Sequence, residues 1–176
     1  MNLKNVMKTA WAFFFVLILL SGCATPVWVS KEPPVPITPV LSSEWGAAIE
    51  QTKKAIERDG NKWFKDSTDH SPFALYASGE YLGHRAIFSY FFTSKSKKLY
   101  RVDITFDDLS AFEKAKKVLV EAYRPPTYSE PDVNHWAWDD RSLLILQRDP
   151  IHVQMSFSKG PFSLENYNES GGSSGK

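Results

Sequence analysis

The stretch HRAIFSYFFTSKSKKLYRVDITF, residues 84–106, restricts the fold more than any other part of the chain. Ala86, Phe88, Tyr90 and Phe92 recur at every second position, SKSKK breaks the run, and Tyr100, Val102, Ile104 and Phe106 recur on the return. Strand side chains alternate between faces, so this pattern predicts an antiparallel hairpin with one buried aromatic face. Its other face carries Arg85, Arg101 and Asp103. A sheet with one apolar face has to be covered by a second layer.

Two segments have the period for that cover. In SSEWGAAIEQTKKAIERDG, Trp45, Ala48, Ile49, Thr52 and Ile56 fall at helical spacing while Glu50, Lys53, Lys54 and Glu57 face elsewhere. Ser43 is placed to cap the start and Gly60 the end. In LSAFEKAKKVLVEAYRPP, Phe112, Ala115, Leu119 and Tyr123 form the buried stripe, and Ser110 with Glu113 reads as a capping box. Pro125 and Pro126 stop this helix, because neither has a backbone N–H to donate. The intervening NKWFKDSTDHSPFALYASGEYLG reads as turns with short strands around Phe73 to Tyr76. After the second helix, NHWAWDD, RSLLILQRD and IHVQMSFS read as three short strands with turns at Asp139 and Asp140 and at Asp149 and Pro150. In the last of them Val153, Met155 and Phe157 face one way, and His152, Gln154 and Ser156 the other.

The expected fold class is therefore α+β: an antiparallel β-sheet covered on one face by two helices, in the order helix, strands, helix, strands. The unit occurs twice, roughly 67 residues apart, which points to a degenerate duplication. A single domain is expected over residues 43–164. The tail, residues 165–176, ends in ESGGSSGK and has no means of packing, so it is expected to be disordered. A hydrophobic content of 43% with 14% aromatics suffices for one real core.

The part before the domain has a different character. MNLKNVMKTA holds two lysines and no acid, Ala10 to Leu20 are eleven apolar residues, and SGC follows. That is the layout of a secretory signal over residues 1–22, and it is too short for a permanent span, which needs about 20 apolar residues. Ala24 to Ser42 contains Pro26, Pro33, Pro34, Pro36 and Pro39 and no glycine. Residues 23–42 are thus a semi-rigid spacer, reaching up to roughly 60 Å in polyproline II geometry. That reach suits a partner away from the membrane surface.

Leu20-Ser21-Gly22-Cys23 resembles the lipobox of bacterial lipoproteins without a mismatch. The resemblance implies cleavage between Gly22 and Cys23 and a diacylglyceryl thioether on the Cys23 sulfur. A thiolate is the side-chain nucleophile suited to that step near neutral pH. Buried acyl chains contribute about 0.8 kcal/mol per methylene, so two or more chains anchor stably. Ala24, in place of an aspartate, implies the outer membrane, periplasmic face. The folded part resembles the small α+β modules of periplasmic inhibitor proteins and outer-membrane assembly lipoproteins. The progression KLYRVDITF, helix, YRPP, W...LLIL is also similar to that of uncharacterised bacterial lipoproteins, in which glycine often follows the helix tyrosine; here Arg124 stands there. No functional residue is carried over from either resemblance.

Charge excludes one class of partner. The chain has 21 Lys and Arg against 20 Asp and Glu; without Lys4 and Lys8 the balance is 19 against 20. Nucleic-acid binding normally shows as a concentrated basic excess, which this chain lacks. The single cysteine allows no intrachain disulfide and, once lipidated, no thiol chemistry.

Catalytic spacings are missing: there is no GxSxG, HExxH, paired CxxC, P-loop or GxGxxG. Asp66, Asp69 and His70 offer metal-type ligands close together, but Asp and Ser in such a loop also simply make turns. Asp107 with Asp108 suits a helix start, and Asp139 with Asp140 a hairpin turn, better than an acid/base pair. The sequence therefore assigns no catalytic residue, no metal and no cofactor. Trp136 and Trp138 share one side of a strand; they either pack on Leu119 and Phe112 or form a possible binding face for a glycan or a partner's apolar side chain. Lys95, Lys97 and Lys98, with Lys114, Lys116 and Lys117, make a basic surface that is either solvated or turned to anionic headgroups.

The expectation is a lipid-anchored envelope protein that binds a protein partner in the periplasm as an accessory or assembly module. The alternatives are an envelope hydrolase and a glycan- or lipid-binding module. Radiolabelled palmitate should enter the wild-type protein in cells and not Cys23→Ser; equal labelling of the two overturns the anchor.

Overall fold

The computed structural model describes residues 41–172. The expected signal, Cys23 and the expected spacer up to residue 40 lie outside the described residues, as do residues 173–176. Helix α1 (Ile49–Arg58) is followed by β1 (Lys62–Ser67), β2 (Ala74–Tyr81), β3 (His84–Phe92) and β4 (Leu99–Phe106). Helix α2 (Ala111–Tyr123) is followed by β5 (Tyr128–Glu130), β6 (Val133–Ala137), β7 (Leu143–Arg148) and β8 (Val153–Ser158), and α3 (Gly160–Glu169) closes the described chain. Among the described residues no helix is long and apolar enough to cross a membrane.

All eight strands form one antiparallel sheet, ordered β1-β2-β3-β4-β8-β7-β6-β5. Each half is a helix followed by a four-stranded meander, and the halves meet through their last strands, with Arg101 opposite Ser158 and Phe106 opposite Val153. The strands with the sharpest alternation, β3, β4 and β8, are interior, where a consistently apolar face is fully used. On that face Phe88, Tyr90, Val102, Ile104, Phe106, Trp136, Leu144 and Met155 pack with Ile56 of α1 and with Phe112, Ala115 and Leu119 of α2.

The mixed helix and antiparallel-sheet class is as expected, but three features differ. The sheet is larger, because the charged β1 and the three-residue β5 join as edge strands that periodicity does not announce. Helix α1 starts at Ile49 and not near Ser43. The Gly46 N–H donates to the Leu99 carbonyl at 2.9 Å, and the Leu99 N–H donates to the Ala47 carbonyl at 3.0 Å, so the preceding residues, which turn at Trp45 and Gly46, are held against the start of β4. The cap is the Gln51 side chain, which accepts the Ala48 N–H, and at α2 it is Asp108, which accepts the Ser110 N–H in place of the Ser110–Glu113 box.

The third difference is α3, which occupies residues expected to begin a disordered tail. It has Pro161 in its first turn but no apolar stripe; Leu164 and Tyr167 are exposed. Polar contacts to the β3–β4 turn hold it: Asn166 accepts the Ser94 N–H, Glu169 accepts the N–H groups of Lys95 and Ser96, and Glu165 pairs with Lys98 at 2.9 Å. A helix held in this way leaves no trace in hydrophobic periodicity.

Arg124 ends α2 at φ 67 and ψ −177. Leaving the helix through a left-handed residue sets the sign of φ, and Pro125 forbids the helical ψ, so the residue sits in a region essentially reserved for glycine. Holding a side chain there costs about 1–3 kcal/mol, against about 0.5–1 kcal/mol of extra chain entropy for glycine. Arg124→Gly should therefore raise stability by about 1 kcal/mol, read as a higher urea midpoint at unchanged slope.

Candidate functional site

Trp136 and Trp138 do not form a surface platform. Trp136 is 2% exposed and its indole N–H donates to the Arg124 carbonyl at 2.8 Å. Trp138 lies beyond the end of β6, half-buried edge-on against Tyr123 at 5.8 Å. The pair is thus committed to the core and to the α2 terminus. This corrects the possible binding face, because a strand one place from the sheet edge still lies under the helical layer.

Several of the acidic and histidine candidates are held in local structural contacts. Asp66 turns to Thr68 and to Lys53 at 2.9 Å, and the Thr68 hydroxyl and the lysine hold its carboxyl down at about 2. Asp69 pairs with His70, Asp108 with His84 at 2.9 Å, and Asp140 with Lys159 at 2.6 Å. Of the basic surface, Lys97 lies 3.5 Å over the Phe73 ring and Lys98 pairs with Glu165.

What remains is the sheet face opposite α1 and α2. The registers arrange its side chains in rows across the strands. One row runs Phe91, Arg101, Ser158, Leu143; the next Tyr76, Ser89, Asp103, Ser156, Ile145, His135; the third Ser78, Ile87, Thr105, Gln154, Gln147, Val133. Ile87 is 39% exposed, and Arg101 stacks over Phe91 at 5.1 Å. A register shift at Phe91 and Phe92 makes Tyr100 an extra residue in β4, and this bulge turns Tyr100 and Arg101 to the same side.

Along β8 this face is indented. The outward residues of β8 are Gln154, Ser156 and Ser158, between Tyr100 and Arg101 on one side and Leu143, Ile145 and Gln147 on the other, and Ser163 of α3 closes one end. The result is a trough of about 300 Å³. Its floor holds a chain of side-chain hydrogen bonds. Arg101 donates twice to Asp103, at 2.8 and 2.6 Å, Gln154 donates to Asp103 at 3.3 Å, and Gln147 donates to Gln154 at 2.9 Å. Asp103 is 5% exposed. The carboxylate hydrogen bond raises the Arg101 guanidinium further above its usual range, and burial raises the Tyr100 phenol. The Ser163 hydroxyl is buried without a hydrogen-bond partner.

Sequence periodicity placed Arg101, Asp103, Gln154 and Ser156 on the polar face but gave no reason to group them. The signal was the small-residue repeat in QMSFS on a strand with larger outward neighbours, and it becomes visible only once β8 is known to lie between β4 and β7.

No family model matches the chain, and neither the curated proteins nor the solved structures give a match.

Arg101→Ala would leave the Asp103 carboxylate buried with Gln154 alone. It should cost about 1–3 kcal/mol of unfolding free energy in urea titrations, the penalty of an under-satisfied buried group.

Proposed function

We propose that the chain is a lipid-anchored lipoprotein of the bacterial envelope, tethered through Cys23 to the periplasmic face of the outer membrane. Its domain acts as a non-catalytic module that binds a protein partner. The observation that carries this reading is the broad sheet face that α1 and α2 leave uncovered. Tyr76, Phe91 and Arg85 lie on it beside the exposed Ile87 and the Arg101 stack, and aromatic residues and arginine are the types enriched at protein–protein contacts. The proline-rich spacer supports it by giving the domain reach.

The hydrolase alternative finds less support. Where His84, Asp108 and Ser110 meet, Asp108 lies between the other two, so the carboxylate and not the imidazole reaches the serine. Nucleophile activation needs the opposite order, with the imidazole against the hydroxyl.

A photo-crosslinking amino acid at position 87 of the full chain, expressed in cells, should capture one protein reproducibly, whereas the same group at position 121 on the exposed side of α2 should not. Equal capture at both positions, or none at 87 with the protein correctly anchored, overturns the reading.

A further inference from the structure

We propose that the trough over β8 is a binding site for a neutral saccharide, adjoining the protein-docking surface around Ile87, with which it shares Arg101. The trough is built and not incidental. Three small or flexible polar residues on a central strand sit between larger neighbours, a bulge turns Tyr100 into the wall, and α3 closes one end.

Three properties select the ligand. The first is charge: Arg101 and Asp103 neutralise each other with two hydrogen bonds, and no other charged side chain lines the trough, so neither an anion nor a cation is favoured. The second is the state of the main chain. β8 is paired on both sides, with β4 and with β7, so its N–H and C=O groups are used and an extended peptide cannot add to it as a strand. Recognition falls to side chains. The third is their chemistry: the hydroxyls of Ser156, Ser158 and Ser163 and the amides of Gln147 and Gln154 each donate and accept, while Tyr100, Leu143 and Ile145 supply apolar wall. A pyranose matches that mixture, with ring hydroxyls that both donate and accept and an apolar C–H face for an aromatic wall. The outward positions from Gln154 to Ser158 extend about 13 Å, room for a short run of rings. The unpartnered Ser163 hydroxyl is the group a bound sugar would satisfy.

The test uses the full lipidated chain in detergent micelles, with triacetylchitotriose and maltotriose as probes in saturation-transfer NMR and calorimetric titration. At least one should bind. Gln147→Ala, at an exposed position that leaves the fold intact, should weaken binding about tenfold, the effect of losing one good hydrogen bond. Ser156→Phe, which fills the trough, should abolish it. Ile87→Asp, on the protein-docking surface, should leave it unchanged, so loss of the partner in cells and loss of the sugar are separable. Absence of saturation transfer from both sugars overturns the proposal. So does binding that survives both trough substitutions, or occupation of the trough by an uncharged extended peptide and not by sugar.

Discussion

The antiparallel pairing of β4 with β8 is the interaction on which the rest of the domain depends. Each half by itself is a helix and a four-stranded meander, Ile49–Phe106 and Ala111–Ser158, and a unit of about 60 residues or fewer would bury only about 60% of its unfolded surface. The pairing sets Val102 opposite Phe157, Ile104 opposite Met155 and Phe106 opposite Val153, so the two apolar faces become one. Cross-strand contacts between large apolar residues are the unit of sheet stabilisation, and here they also join the halves. The same register fixes the other face. The residues that alternate with those pairs, Arg101 with Ser158, Asp103 with Ser156 and Thr105 with Gln154, point away from the helices, so the trough floor follows directly from the pairing that builds the core.

Helix α3 reinforces this junction from the end. Its carboxylates and Asn166 hold the β3–β4 turn, which belongs to the first half. Its start packs on the β6–β7 turn of the second half, where Ser142 accepts the Gly160 N–H and a side chain on Gly160 would collide with the Asp140 carbonyl. Phe162 fits against Gly46, whose missing side chain leaves the space for the ring. One short helix thus ties a turn from each half, and it does so with polar groups and close packing in place of an apolar stripe.

Legibility in the sequence followed the physics of each element. The β3–β4 hairpin, the apolar stripe of α2 and the alternation of β8 could be read, because burial on one face writes a period into the residues. Edge strands β1 and β5 and helix α3 could not, since their stability comes from long-range partners: β2 and Lys53 for β1, β6 for β5, and the Lys95 and Ser96 amides for α3. Trp136 and Trp138 show a related limit. Their shared side was readable, but not which layer that side meets. The trough was the least legible feature, because it depends on the spatial order β4, β8, β7, which brings residues near 101 and 145 to either side of residue 156.

The edges of the sheet bear on where the proposed recognition falls. An open eight-stranded sheet exposes two edge strands, and unprotected edges recruit other chains indiscriminately. Here β5 is only three residues long, and β1 carries Lys62 and Lys65 and is distorted between Trp63 and Lys65, which breaks the regular ladder a new strand would need. Cations also lie across aromatic rings beside the edge, Lys53 over Trp63 and Lys65 over Tyr76, both at 5.1 Å. With both edges blunted and α1 and α2 over the apolar face, the broad surface left for selective contact is the face that carries Ile87, Arg101 and the serines of β8. Arg101 is balanced in place by Asp103, so on the proposed reading contacts around it are selected by shape and hydrogen bonding and not by long-range attraction, and binding there should depend little on salt.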